Sequence, residues 1–313
     1  MAARRNAKPT LTFKASPVRV RVPATSANLG PAFDAAGLAL DWYDDMVAQV
    51  VDEPGVVIDM VGEGADTLPR DGKHLIAKSM MAAFEAMGWK PAGLNIVTAN
   101  HIPHGRGLGS SSAAIVGGIV MARALVVGGE NLLDDVAALR LASKLEGHPD
   151  NVAATLLGGF TLAWGGADEA QALRVTPHPS IYPIACVPSN PVATKKARGL
   201  LPAEVPHADA SFNAGRSALL TMALTENPEL LFIATEDKLH QDYRRSAMVE
   251  SHKLVQRLRA AGLAAVISGA GPTVMVLATS NVSAQIVSIA GEKFEVHPLG
   301  VSKQGAHVVA LDS

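Results

Sequence analysis

The sequence predicts two α+β domains sharing one cleft, and three observations lead there. The chain has 313 residues, 48 % of them hydrophobic, and a chain of that size buries roughly 75 % of its unfolded surface. Period-two and helical apolar patterns occur in both halves, so neither half is all-helical or all-strand. Near residue 167 the texture changes: Pro177, Pro179, Pro183, Pro188 and Pro191 cluster, and the helices beyond carry more charge. The expected division is a tail at 1–15, a first domain at 16–166 and a second at 167–313.

Val18, Val20 and Val22 alternate with Arg19 and Arg21, which predicts a half-buried strand. Two further strands are expected over Met46–Val51 and Val56–Val61, parted by the turn residues Asp52-Glu53-Pro54-Gly55. Leu75, Met80, Met81, Phe84 and Met87 fall at helical spacing before Gly88, which predicts a helix over His74–Met87. A short strand follows at Leu94–Val97. Helices are then expected over Ala113–Val127, Leu132–Leu145 and Asn151–Leu157, the last stopped by Gly158-Gly159. Beyond the changeover, strands at Ile184–Val187, Val274–Leu277 and Val308–Leu311 alternate with helices such as Ala247–Ala261.

Composition excludes several classes of function. Lys and Arg number 27 against 29 Asp and Glu, a net charge of −2, so nothing draws the chain to nucleic acid. The one cysteine, Cys186, excludes a disulfide framework and a thiolate zinc cluster, and its apolar neighbours suggest a packing thiol. No run approaches the ~18 apolar residues that a membrane helix needs. No greasy segment follows Arg4, Arg5, Lys8 and Lys14, so no signal peptide is expected either. A soluble, cytoplasmic protein is the expectation.

Three loops carry candidate chemistry. Pro103-His104-Gly105-Arg106-Gly107-Leu108-Gly109-Ser110-Ser111-Ser112-Ala113 runs straight into an apolar helix. Its glycines let backbone approach a ligand closely, and the helix start supplies N–H groups and the positive end of the dipole. That suits a polyphosphate. The loop is neither a Walker A motif, since no lysine follows its last glycine, nor a dinucleotide fingerprint, since Ser110 stands at the third glycine. The second loop is Glu146-Gly147-His148-Pro149-Asp150-Asn151, where a carboxylate can hold Mg²⁺ against the phosphates. Asp150 and Asn151 can orient or deprotonate an alcohol, or Asp150 can simply cap the next helix. The third, Ser268-Gly269-Ala270-Gly271-Pro272-Thr273, reads by itself as a tight hairpin turn. Asn28 and Asp34, in the polar segment after the first strand, offer an acceptor, a donor and a charge suited to an amino acid or a polyol.

Taken in order, these segments resemble the GHMP kinase superfamily, over nearly the whole chain from Val18 to Val276. The Gly-Leu-Gly-Ser-Ser-Ser loop is similar to that superfamily's ATP loop. Within it, Pro23-Ala-Thr-Ser-Ala-Asn-Leu-Gly-Pro-Ala-Phe-Asp34 resembles the homoserine kinase family, whereas galactose and mevalonate kinases carry a Gly-Glu-His element there. Thr194-Lys-Lys-Ala-Arg198 and His240-Gln-Asp-Tyr-Arg244 are similar to that family's T-x-x-x-R and H-x-x-x-R elements. Two departures stand out: Ala32 where glycine is frequent, and Gln241-Asp242 in place of a commoner Glu-Pro.

The resemblance implies a first domain like the second domain of ribosomal protein S5 and a ferredoxin-like second domain. It implies ATP-dependent phosphorylation of a small alcohol, L-homoserine, with ATP and Mg²⁺ as cofactors, and homodimers are common in the family. By the same resemblance residues 103–113 would cradle the phosphates, and Glu146 with Ser111 or Ser112 would hold Mg²⁺. Asn28, Asp34, Asp150, Arg198 and Arg244 would position the acceptor, with the two arginines on its carboxylate, a pairing that a guanidinium fork suits. His148, Asn151, Thr194 and Gly269 would support them. Asp150 is the candidate base, or it only orients the hydroxyl.

Overall fold

The computed structural model of the protein describes residues 12–191 and 197–310. It contains two sheets. The first is built on β1 (Val18–Ala27), β2 (Ala36–Val51), β3 (Gly55–Gly62) and β4 (Gly93–Asn100), in the order β1-β2-β4-β3. A hairpin of β5 (Phe160–Trp164) and β6 (Gln171–Val175) joins it by pairing β5 with the start of β2. The helices of this half are α1 (Leu75–Ala86), α2 (Ser110–Leu125), the single turn α3 (Gly129–Leu132), α4 (Asp135–Glu146) and α5 (Asp150–Leu157).

The second sheet is antiparallel, in the order β10-β7-β9-β8. Its strands are β7 (Tyr182–Pro188), β8 (Ala264–Ile267), β9 (Val274–Ala278) and β10 (Phe294–Pro298). The helices here are α6 (His207–Thr225), the short α7 (Leu231–Ala234), α8 (Val249–Ala260) and α9 (Ser283–Ala290). Leu254, Leu258 and Ile286, from α8 and α9, pack with Ile184, Cys186 and Val276 of the sheet in a core of their own. Cys186 is a packing thiol there: burial pushes it up to about 12, far from thiolate chemistry.

The alternation in β1 is real, with Val18, Val20 and Val22 buried and Arg19 and Arg21 half-exposed. β2 is ten residues longer at its start than the pattern predicts. Ala36-Gly-Leu-Ala-Leu40 is buried throughout, so it shows no alternation to read. α2 buries eleven side chains or glycines, from Ser112 to Leu125, which explains its continuous apolar sequence. Each large apolar side chain taken out of water there contributes roughly 1.5–3 kcal/mol.

The sequence texture changes near residue 167, but the hydrogen-bond ladders change between Val175 and Tyr182. β6 therefore lies with the first sheet. The last strand, β11 (His307–Val309), returns to that sheet and pairs with β1, instead of extending the second half. The chain thus crosses between the sheets twice. Among the described residues no helix is long and apolar enough to cross a membrane.

Candidate active site

α2 begins at Ser110, and its cap is Gly109 in the left-handed region at φ 73°. A serine caps nothing here: Ser110, Ser111 and Ser112 occupy the first turn, which contains no acidic residue of its own. The first N–H groups of the helix therefore have no intrahelical partner and face the loop with the positive dipole end behind them. Gly109 is required twice over, because a Cβ there would also lie 2.0 Å from the Thr25 hydroxyl. That contact fastens the loop to the end of β1, where Thr25 N donates to Leu108 O at 3.0 Å.

Opposite the helix start, α4 ends at Glu146 and α5 begins at Asp150. Gly147, at φ 95°, makes the reversal possible. Glu146 Oε1 accepts from Ser111 Oγ at 2.5 Å and from Ser112 Oγ at 3.2 Å. Asp150 is almost wholly buried, and its Oδ1 meets His148 Nδ1 at 2.6 Å and the Asn151 N–H at 2.7 Å. Burial opposes a charge on His148, but the hydrogen bond and charge of Asp150 outweigh it and raise the imidazole above its ordinary value. Thr25 Oγ1 donates to Asn151 Oδ1 at 2.8 Å. Gly37 on β2 lets this turn approach, since a Cβ there would lie 2.4 Å from Asp150 O.

The segment after β1 holds three non-glycine residues with left-handed backbones, Asn28, Leu29 and Asp34, at φ 67°, 47° and 55°. Such strain persists only where the surroundings enforce it. Here α6 does so, with Asn213 Nδ2 and Ser217 Oγ both donating to Pro31 O, at 2.5 and 2.8 Å. Asn28 Oδ1 accepts from Asp34 N at 2.9 Å, and its Nδ2 donates to Gly269 O at 2.9 Å. Asp34 is held bidentately by Arg198, at 2.6 and 3.0 Å, which raises the guanidinium above its ordinary value.

Arg244 is different. It is 1 % exposed, and its Nε has no hydrogen-bond partner. Its Nη1 donates to Gly269 O at 3.3 Å, and its guanidinium lies 5.1 Å from the centre of the Phe33 ring. Among the described residues no carboxylate lies within ion-pair distance of it. Burial, then the Arg198 charge, pull it below the ordinary arginine value. A buried cation without a counter-charge is costly unless an anion joins it.

These parts wall one cavity of about 160 Å³. The phosphate loop contributes Gly105, Gly107, Gly109, Ser110 and Ser111; the α4–α5 turn contributes Glu146, His148, Asp150 and Asn151. Asn28, Arg198, Arg244, Gly269 and Ala270 close it, the last two from the Ser268–Thr273 loop. The Ser268–Thr273 segment is the expected β8–β9 hairpin turn, and it also forms this wall.

Other expected site residues face elsewhere. Leu108, Ser112 and Ala113 are wholly buried, Ser112 reaching Glu146 from behind the wall. Pro103 and Arg106 line neither this cavity nor its neighbour. Asp34 does not line the cavity itself and meets it through Arg198 and Asn28. Thr194 lies outside the described residues.

A second cavity, about 340 Å³, lies on the other side of Ser110 and Ser111. Met46, Leu68, Leu75, Ile76 and Ala114 make it apolar, and Asp44, His74, Asn100 and His104 edge it. Burial raises Asp44 to about 6, although it accepts from the N–H groups of His101 and Ile102 at 2.6 and 2.9 Å. Apart from His104, Ser110 and Ser111 of the glycine-rich loop, no residue of a sequence motif lines this cavity. His104, expected at the phosphates, stands here.

A helix start with open N–H groups between an apolar cavity and a polar one is an arrangement suited to a small-molecule kinase, and the comparisons agree. Residues 74–159 match the family model "GHMP kinases N terminal domain", and residues 216–296 match "GHMP kinases C terminal". The homoserine kinase of Streptomyces coelicolor is 60 % identical over 299 residues, covering 96 % of each chain. That of Clavibacter michiganensis is 52 % identical over 260 residues, 83 % of this chain and 82 % of its own. The crystal structure of homoserine kinase from Cytophaga hutchinsonii superposes with a TM-score of 0.81 at 26 % identity, covering 96 % of this chain and all of that one. The mevalonate diphosphate decarboxylase of Enterococcus faecalis shares the fold alone, with a TM-score of 0.62 at 13 % identity. The chain belongs to the homoserine kinase family of the GHMP kinases.

Proposed function

We propose that the protein transfers the γ-phosphoryl group of ATP to the side-chain hydroxyl of L-homoserine, giving O-phospho-L-homoserine for threonine biosynthesis in the cytoplasm. The observation that carries the substrate half is Arg244, a buried guanidinium without a carboxylate partner, opening into a cavity that also holds Arg198. An amino-acid zwitterion answers both charges there. Its carboxylate joins the two arginines, and its ammonium takes an oxygen of Asp34, beside Asn28. A sugar has no charge to offer Arg244.

ATP lies across the start of α2. Its base enters the 340 Å³ cavity, whose apolar walls suit a flat heterocycle. Its phosphates meet the backbone of Gly105–Ser111 and the helix N–H groups, which bind anions without a lysine. Glu146 Oε1 with the Ser111 and Ser112 hydroxyls is a hard-oxygen set with one carboxylate, which fits Mg²⁺, an ion that takes its remaining ligands from phosphate and water. Ser111 is the better placed serine, since it lines the cavity and Ser112 does not. When bound, the ion supplies charge neutralisation on the β and γ oxygens.

Phosphoryl transfer asks mainly for positioning and neutralised charge. Asp150 Oδ1 is already committed to His148 and the Asn151 N–H, so Asp150 orients the acceptor hydroxyl and His148 fixes Asp150. The test is kcat/KM with ATP and Mg²⁺ for L-homoserine, mevalonate, galactose and L-threonine, the ratio that defines discrimination. Preference for homoserine by ~100-fold or more is expected: galactose offers neither charge, mevalonate offers no ammonium, and L-threonine keeps both charges but carries its hydroxyl one carbon nearer to them, out of line with the phosphates. A better acceptor among the others overturns the substrate assignment and leaves the nucleotide assignment standing.

A further inference from the structure

The Arg106 side chain lines neither cavity. Its Nε donates to Pro188 O at 2.8 Å, Nη1 to His104 O at 2.8 Å, and Nη2 to Ser189 O. The planar fork is thus spent on three backbone carbonyls, two of them at the end of β7 in the second sheet. The Arg106 carbonyl accepts from Thr273 N at 3.1 Å. Ser268 Oγ lies 2.6 Å from Gly107 O.

The phosphate loop is therefore bonded to the second sheet at two places, the end of β7 and the β8–β9 turn. That same turn presents Gly269 O to Asn28 Nδ2 and Arg244 Nη1 in the polar cavity. The end of β7 lies beside that turn, since Cys186 pairs with Val274 in the β7–β9 ladder. The Arg106 strap and the turn that carries Gly269 therefore share one corner of the second sheet, and contiguous contacts of this kind can carry coupling between two sites.

We propose that Arg106 is a positioning residue rather than a phosphate ligand: it straps the nucleotide loop to the second sheet and so couples nucleotide affinity to acceptor affinity. The proposal rests on the acceptor and nucleotide assignments above. A nucleotide that settles the loop also fixes, through the strap, the wall that carries Gly269 and Arg244. By linkage the acceptor tightens nucleotide binding by the same factor.

Calorimetry on the full chain tests this, titrating L-homoserine with and without MgADP, and MgADP with and without L-homoserine. The unmodified protein is expected to bind homoserine about 10-fold more tightly with MgADP present, within the usual range of such coupling. In Arg106→Ala the ratio falls to within about 2-fold of unity, while MgADP alone binds within about 3-fold of the unmodified protein. Arg106→Lys separates strap from phosphate ligand, because it keeps the charge but cannot span three carbonyls in one plane. It is expected to hold MgADP and lose the coupling, and it serves alone if the alanine variant does not fold. A ratio of one in the unmodified protein overturns the strap, and so does an unchanged ratio in the variants. MgADP weakened by ~30-fold or more in Arg106→Ala with the ratio intact makes Arg106 a phosphate ligand instead. Should homoserine neither bind nor react with the unmodified chain, the acceptor assignment fails separately, and the same ratio is read with whichever alcohol turns over.

Discussion

The cavity on one side of Ser110 and Ser111 is walled by Glu146, Asp150, Arg198 and Arg244; on the other side the walls are Met46, Leu68, Leu75, Ile76 and Ala114. The polar cavity draws on segments far apart in the chain and on both sheets: Glu146 bonds Ser111, Arg198 pairs with Asp34 and Arg244 bonds Gly269, while Asp150 is held within its own turn. The apolar cavity belongs to the first half alone and needs only shape. One helix start borders both. In the function proposed above its N–H groups take the phosphates, charge selects the acceptor and surface selects the base.

Substitutions on the two sides should move different constants. Arg244→Met removes the unpaired cation from the polar side. The KM for homoserine is expected to rise by ~100-fold or more, with the KM for ATP within ~3-fold, because a desolvated charge contact is lost on one substrate only. A matching rise in both would merge the two cavities into one site. Asp150→Asn keeps the shape of the turn and the acceptor oxygen for Asn151 N. A fall in kcat of ~10-fold is expected for an orienting group; ~100-fold or more would make the carboxylate the proton acceptor.

On the apolar side, Ala114→Leu fills part of the cavity. It is expected to raise the KM for ATP by ~10-fold through overpacking and leave that for homoserine unchanged. The smallest effect concerns Asp44. Its carboxyl sits near 3.8 when unfolded and is raised by burial to about 6 in the folded protein. The folded state thus holds its proton more tightly, so ionising Asp44 costs stability. That cost is absent below about pH 4, grows between about 4 and 6, and is complete above. Asp44→Asn should therefore raise Tm by about 2–5 °C at pH 8 and leave it unchanged at pH 4. The same shift at both values would place the effect in packing.

The two cavities also differ in what the sequence discloses. The polar one is written in short motifs, since chemistry requires particular residues at fixed spacing around Gly109, Glu146 and Asp150. The apolar one uses ordinary core residues, so Leu68 and Ala114 look like any others. Arg198 and Arg244 were legible only through family resemblance, because a lone arginine is a surface residue by default. That Arg198 is already paired with Asp34, while among the described residues no carboxylate lies within ion-pair distance of Arg244, depends on packing. Arg106 sits inside the motif, yet the fold turns its side chain to the second sheet. Among the elements, β1 and α1 alternate clearly, whereas the first half of β2 is buried on both faces and shows no period. α6, which buries only Asn213, Leu220, Ala223 and Leu224 in nineteen residues, has too thin a stripe to read.

The central claim is that the polar cavity recognises both charges of an amino acid. Titration of L-homoserine in the presence of MgADP, against 4-hydroxybutyrate and 3-aminopropan-1-ol, tests it most directly, since each analogue keeps the alcohol and one charge. Homoserine is expected to bind at least ~30-fold more tightly than either, because 3-aminopropan-1-ol leaves the buried Arg244 cation unanswered and 4-hydroxybutyrate has no ammonium for Asp34. If 4-hydroxybutyrate bound within ~3-fold of homoserine, Asp34 would have no part in recognition and the cavity would be an anion site alone.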